Sequence, residues 1–441
     1  VMLKLAFLLI GSQAFKSQWH VLSTLGAALV LAAGGIALWA SDRAVLLAGE
    51  AAGLLLAVIG LLTLAGAASR QARMVALLKP LGLIVIGALI LDWPVDTRIA
   101  LPVLFSIAFA FDGIGRIATA LVVRLPRWRS AVTFGLAELT AAALILAEWP
   151  LPHSRSLALC IGIVLALAGW LLIRFGLMLR TLDSEVAILN LPIFGGRGWF
   201  DSAPVLVGTG EGDIAEHPMT VHVWTPAGCI VAPERRLLID RYVAAVDADG
   251  VVSTGHAALE MGAGLYISHY PAVELQRSGS QFLASLRGTA ENDLKGLFQP
   301  SYAHESDWWC PADAQVIFRN YNPRRLRAFW AGYRQDDTYN LTNRNCAVVV
   351  AHALEAALEG SLHTRFPWAR LVLLLANPDI WIAAMIRSRA HLGTWTPGMT
   401  LDYARTLARI VEQRDYAWSA RLRDFLRRLR PGGTRRGAAA A

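Results

Sequence analysis

The sequence predicts an N-terminal all-α polytopic membrane bundle of six helices in three hairpin repeats, followed by a C-terminal α+β domain. Apolar residues make up 55% of the chain and charged ones 17%, yet nearly all of the excess lies before residue 180. Apolar stretches there approach the roughly 20 residues that a helix needs to cross a bilayer. Beyond residue 205, short β-rich runs such as "MTVHVWT" and "RYVAAVD" are set apart by Gly, Pro and Asp turns.

The six predicted spans are Leu22–Trp39, Val45–Ala67, Ala76–Leu91, Ala100–Val123, Ala131–Trp149 and Leu157–Ile173. Val1 to Phe15 is apolar but too short to span and lacks a small-residue cleavage site, so it reads as an interfacial or packed lead-in in preference to a secretory signal. The links after the second and fourth spans, "SRQAR" and "RLPRWRS", are arginine-rich, and Arg174 and Arg180 follow the sixth. The alternate links "WASDR", "DWPVDT" and "EWPLPHS" carry fewer cations, so the positive-inside rule places both ends of the bundle, and the domain after it, in the cytoplasm. Those alternate links also resemble one another, with Trp39, Trp93 and Trp149 each followed by a polar turn, as three hairpins with interfacial tryptophans at their tips would give. Within the bundle Asp112 and Arg116 share a helix face, and Glu138 lies at a matching depth on the next helix. Charges in hydrocarbon are costly unless paired, so these three are expected to form an ion-pair cluster that locks helices together rather than a proton path.

The helix count, tip tryptophans and short loops of residues 1–180 resemble the HdeD family of six-helix inner-membrane proteins. That resemblance implies a bacterial inner-membrane location and a role in acid or general stress resistance. Residues 181–204 then read as a linker.

The passage "NRNCAVVVAHALEAALEG", residues 343–360, predicts a helix with Asn as its N-cap, Cys346 in its first turn and Gly360 just past its end. A helix N-terminus stabilises a thiolate through the local dipole and free backbone N–H groups, so this position suits a nucleophile as well as a buried structural cysteine. Its base is not His352, which lies six residues along the same helix and roughly 240° around it. The stretch "VVSTGHAALEMGAGLYISHYP", residues 251–271, predicts a hairpin around "MGAG". With Glu260 opposite Leu265, His256 falls opposite His269, which puts both on one face with Cβ atoms roughly 5 Å apart. Cys346 as nucleophile, His256 as base and His269 as orienter make a set suited to acyl transfer or hydrolysis, and the backbone N–H of Cys346 is the expected oxyanion donor.

"TGHAALE", "YISHYP" and "YNLTNRNCAVVVAHAL", in that order over residues 205–360, resemble the Gly-His strand, the following strand and the Asn-Cys helix of the circularly permuted papain-like superfamily. That superfamily includes NlpC-type relatives, lecithin retinol acyltransferase and Lnb-type domains. The resemblance implies a permuted papain-like domain over 205–362, with Cys346 the nucleophile, His256 the base and His269 the third polar residue, Tyr270 being the alternative for that last role. It implies a thioester mechanism on an amide or ester substrate: an acyl-lipid, a lipoprotein or a peptide amide. The competing class is a stress-protective membrane scaffold whose cysteine domain only binds.

Cys160 lies in the sixth span, and Cys229 and Cys310 stand isolated near turns. No CxxC or Cys/His metal spacing appears, so neither metal nor cofactor is expected, and so few cysteines suit a reducing cytosol. Residues 363–420 read as an apolar to amphipathic helical extension. In it "FPWARLVLLLANPDIWIAAMI" is broken by Asn377, Pro378 and Asp379, which predicts a hydrophobic hairpin against the bilayer rather than a seventh span. The tail 421–441, with seven arginines and one acid, suits contact with anionic lipid. The formal net charge of +8 comes with no aromatic-basic recognition motif, so nucleic acid is not expected as a partner.

Overall fold

The computed structural model describes residues 2–16, 18–39, 97–124, 128–181, 217–226, 245–246, 252–262, 264–273 and 286–412, with scattered residues between 50 and 91. The second and third predicted spans, most of the 181–204 linker and the 421–441 tail lie largely or wholly outside the described residues.

The chain opens with α1 (Met2–Ile10) and α2 (Ser12–Lys16). Four long helices follow: α3 (Trp19–Trp39), α4 (Thr97–Val123), α5 (Trp128–Leu146) and α6 (His153–Thr181). Among the described residues these four are long and apolar enough to cross a membrane, and they match the first, fourth, fifth and sixth predicted spans. Large apolar side chains such as Leu31, Phe111, Phe134 and Leu167 point outward and exposed, as lipid-facing residues do. The helices approach through glycine. A Cβ on Gly26 of α3 would lie 2.6 Å from the Gly169 carbonyl of α6, and one on Gly113 of α4 would lie 2.8 Å from the Gly135 carbonyl of α5. Small residues at such crossings let backbones pack where no hydrophobic effect drives helices together. The expected charge cluster is present: Arg116 contacts Asp112 at 2.6 Å and Glu138 at 3.1 Å.

The C-terminal part is α+β with small sheets. Strands β1 (Met219–Trp224), β4 (His256–Met261), β5 (Leu265–Ile267) and β8 (Ala314–Phe318) form an antiparallel sheet in the order β5-β4-β1-β8. The short pair β2 (Ala245–Val246) and β3 (Val252–Ser253) stands apart, and β6 (His269–Pro271), β7 (Leu294–Phe298) and β9 (Thr338–Tyr339) make a third sheet in the order β6-β7-β9. Helices α7 (Tyr302–Trp308), α8 (Pro323–Tyr333) and α9 (Cys346–Leu358) pack with these strands. They are followed by α10 (Pro367–Leu375), α11 (Pro378–Leu392) and α12 (Pro397–Val411). Helix α9 is buried along its whole length and runs through the centre of the core. Its ends are those the sequence predicts: the Asn345 side chain accepts from Val348 N at 2.8 Å, and Gly360 follows the helix with φ +78.

The last helices belong to this core. Leu401, Tyr403, Leu407 and Val411 of α12 join Val221, Leu259 and Val316 of the sheet in one hydrophobic cluster. So does α1, where Leu5 to Ile10 are all buried. The N–H groups of Gly360 and Leu362 donate to the carbonyls of Leu8 and Leu9 at 3.0 and 2.8 Å. Of the readings of residues 1–15, the packed lead-in is the one the structure shows. Helices α10 and α11 meet at a 76° bend, each too short to cross a bilayer, with Phe366, Val372, Leu373, Trp381 and Met385 exposed.

This C-terminal body is seated on one end of the helical bundle. Phe7 packs on Phe175 at 4.5 Å, Phe15 on Trp368 at 5.4 Å, and Gly288 N donates to the carbonyl of Val123 at 2.7 Å. That end carries the start of α3, the end of α4, the start of α5 and the end of α6, hence the arginine-rich link "RLPRWRS".

Candidate active site

The site forms where the start of α9 meets the start of β4. Cys346 is the first residue of α9, 7% exposed, and His256 is the first residue of β4, 2% exposed. Gly255 precedes the histidine with φ +71, and a Cβ there would run into the Trp224 carbonyl, so glycine lets β4 begin tight against β1. Trp224 stands opposite His256 in the β1–β4 pairing and lies under it, ring centroids 5.4 Å apart.

The Cys346 thiol lies close enough to His256 to raise its basicity. The Nε2 of His256 faces the Glu305 carboxylate at 3.0 Å and the Ser268 hydroxyl at 2.9 Å. Glu305 sits on α7, fully buried, and both its oxygens are engaged: Tyr270 donates to Oε1 at 2.7 Å and Tyr266 to Oε2 at 2.5 Å. The Tyr270 ring stacks on the imidazole at 4.0 Å. Burial would lower the basicity of His256, but the charge of and hydrogen bond to Cys346, and then the bond to Glu305, outweigh it and push the pKa up to about 9. Burial would likewise raise Glu305, but His256 and the two tyrosines hold it down at about 2. At neutral pH the pair is an imidazolium braced by a carboxylate.

The structure brings His256 and Cys346 together, and it places His269 away from the expected position opposite His256. The β4–β5 register pairs Leu259 with Ile267 and Glu260 with Tyr266, one residue away from the expected pairing. A one-residue slip turns every following side chain to the other face. Beyond Ser268 the chain also leaves this sheet, so His269 pairs with Phe298 of β7 instead of facing His256. Its Nδ1 accepts from the Tyr333 hydroxyl at 3.1 Å and its Nε2 lies 3.4 Å from the Asp337 carbonyl. Burial drives its pKa down to about 4, so it is neutral. The place beside His256 is filled by Tyr270, the expected alternative, together with Ser268 and Glu305. Glu305 is the member of this candidate site that sequence reasoning missed. Its one signal is aromatic company in "SYAHESDWWCP", unusual around a solvated carboxylate.

His352 faces away from the thiol as expected, its ring 6.0 Å from that of His391. Cys310, read from the sequence as isolated, is in a disulfide, whereas Cys160 and Cys346 are free. Its carbonyl accepts from Trp224 Nε1 at 2.7 Å, which ties the disulfide to the wall of the site. Trp224 stacks with Trp309, and Trp308, 67% exposed, edges Tyr270, so one side of the site is an aromatic rim. Among the described residues no group of three or more His, Cys, Asp or Glu side chains is arranged to hold a metal ion.

The two histidines set opposite limbs of a stability curve. His256, raised from 6.5 to about 9, contributes stability that is full below pH 6.5 and is lost as pH rises toward 9. His269, lowered from 6.5 to about 4, makes a contribution that is full above pH 6.5 and is lost as pH falls toward 4. Each limb is on the order of 3 kcal/mol. The melting temperature should therefore peak near pH 6.5. Cys346→Ser should flatten the alkaline limb and His269→Asn the acid one; a wild-type curve that is flat or monotonic from pH 4 to 9 contradicts the assignment.

Compared with protein-family models, with curated proteins and with solved structures, the chain matches none.

Proposed function

We propose that this protein is a membrane-seated cysteine hydrolase or acyltransferase working through a thioester on Cys346. The observation that carries the reading is the chain of contacts from a helix-start thiol to a buried imidazole to a buried carboxylate, the arrangement in which a nucleophile, its base and an orienting group act as one unit. In the reaction the sulfur attacks a carbonyl carbon, and the oxyanion is met by the N–H of Cys346 at the start of α9, which has no partner within the helix. His256 then gives a ring proton to the leaving amine or alkoxide as the C–N or C–O bond breaks. In the second half it takes a proton from water or an acceptor hydroxyl, whose oxygen displaces the thiolate. Glu305 holds the ring through Nε2 and balances the charge throughout. Tyr333 and Tyr339 are buried within electrostatic reach of Cys346, itself 7% exposed.

The order of these elements supports a permuted papain-like domain, and the apolar helices support an HdeD-like six-span bundle in a bacterial inner membrane, with a role in stress resistance. Seating at the end of the bundle and an aromatic rim favour acyl-lipid or lipoprotein esters and amides over soluble peptides. The arginine-rich end on which the domain sits favours the cytoplasmic side. The disulfide at Cys310 favours the opposite orientation, with a peptidoglycan-type peptide amide as substrate, because disulfides persist in oxidising compartments.

The test is to incubate the purified full chain with phospholipid, lipopeptide and peptide-amide substrates and to identify the acyl group on Cys346 by mass spectrometry after acid quench. An adduct on Cys346 that is absent from Cys346→Ser supports the reading; no adduct from any class overturns it. Labelling of intact against permeabilised cells with a membrane-impermeant probe reads the orientation at the same time.

A further inference from the structure

We infer that the junction between the bundle and the C-terminal body holds the phosphate headgroup of an anionic membrane phospholipid. A pocket of about 450 Å³ opens there, lined by Arg124, Trp128, Arg287, Gly288, Thr289 and Glu291 among others. Arg124 follows the last residue of α4 and Trp128 opens α5, so the pocket lies where the two apolar spans Pro102–Val123 and Trp128–Leu146 end. That is headgroup depth, the level at which interfacial tryptophan and arginine gather.

The charge balance of the pocket favours an anion. Arg124 and Arg287 face one carboxylate, Glu291, and Arg129 adds a further cation close by. The guanidinium groups of Arg124 and Arg129 lie over the Trp128 ring, 5.8 and 5.7 Å from its centroid. Two arginines fixed near one aromatic plane suit a phosphodiester, whose oxygens accept from guanidinium forks while the glycerol backbone lies along the indole. Thr289 supplies a second kind of indication: among the described residues nothing hydrogen-bonds its buried hydroxyl, so an unused donor stands in the pocket wall.

A lipid, rather than a free anion, is the occupant that the position supports. Both helix ends lead from the pocket straight into hydrocarbon-length segments, so a headgroup held by Arg124 leaves its acyl chains beside α4 and α5, where Leu121, Val122 and Phe134 are exposed. The pocket wall is also joined to the loop that leads into Cys346. Thr342 Oγ1 donates to the Leu286 carbonyl at 2.6 Å, and the amides of Asn343 and Asn340 donate to the carbonyls of Gly288 and Thr289, both at 3.3 Å. A bound headgroup therefore steadies the segment that positions the nucleophile. Binding itself needs no chemistry at Cys346, so the inference stands or falls apart from the proposed enzyme.

The experiment uses the full chain in detergent and native mass spectrometry with phosphatidylglycerol against phosphatidylcholine. Wild type should retain phosphatidylglycerol in preference, and Arg124→Ala/Arg287→Ala should lower its occupancy roughly tenfold. The control Arg319→Ala/Arg334→Ala, which removes equal charge from exposed positions elsewhere, should not. Millimolar inorganic phosphate should fail to displace the lipid. Unchanged occupancy in the pocket variant, equal loss in the control, or displacement by phosphate overturns the inference. A photoreactive phosphatidylglycerol headgroup used on wild type checks it without any variant: crosslinks should map to the peptides holding Trp128 and Arg287, and crosslinks spread evenly around the bundle overturn it as well.

Discussion

Alanine at His256 is expected to lower turnover about 10³-fold, nearly as far as Cys346→Ala, with the double variant little worse, because groups that act as a unit lose their effect together. Glu305→Gln should follow at about 10²-fold. An amide keeps the volume but cannot balance an imidazolium, and its NH₂ would meet a Tyr266 or Tyr270 hydroxyl that now donates to a carboxylate oxygen. His269→Gln should cost no more than a few-fold, since His269 bonds Tyr333 and not His256. Steady-state rates on whichever substrate acylates Cys346 decide the matter. If His269→Gln silences the protein while Glu305→Gln leaves it active, the orienter is the one the sequence suggests and the carboxylate is structural.

The largest loss of stability is expected on the other side of α9. Glu355 is fully buried and meets Arg387 through two contacts, at 2.8 and 3.0 Å, while Tyr403 donates to it at 2.9 Å. Burial would raise this carboxyl, but Arg387 outweighs it and holds the pKa at about 2. Arg387→Met would leave that charge enclosed with one hydroxyl donor, a change that costs about 3–5 kcal/mol. In a body of this size that is a fall in melting temperature of roughly 10 °C. Glu355→Leu/Arg387→Met should recover most of it, because replacing both partners removes the uncompensated charge. A double variant as unstable as the single one would mean that the pair contributes through packing and not through charge.

What was legible in the sequence was local or periodic. Asn345, Cys346 and Gly360 declare a helix start, a thiol in its first turn and a helix end within eighteen residues. The bundle helices show in composition, and the pairing of Arg116 with Asp112 and Glu138 follows from helix geometry and the cost of bare charge in lipid. The hairpin brought His256 to the right sheet, but its register hung on "MGAG". Gly262 there takes φ +54, and the turn holds one residue more than the tighter pairing would allow. Period-two geometry turned that single residue into a change of face for His269. Glu305 was beyond reach for a different cause: a seven-residue helix gives no periodic signal, and nothing local reveals that "HESDWW" folds back onto a histidine 49 positions earlier. The last helices looked like an appendage because α12, with its exposed polar face, reads as amphipathic whether it covers a sheet or a membrane.

The burial of α1 has a consequence for how the molecule is made. Its partners in α9, α10 and α11 leave the ribosome long after it does; the Trp368 indole that bonds Gln18 is 350 residues away along the chain. For most of synthesis the run "LAFLLI" therefore lacks the larger part of the core it finally enters. Of the finished contacts, those to α6, where Phe7 packs on Phe175, are the ones within reach at that stage. A chain that stops short of α11 therefore lacks much of the surface that covers Leu5 to Ile10.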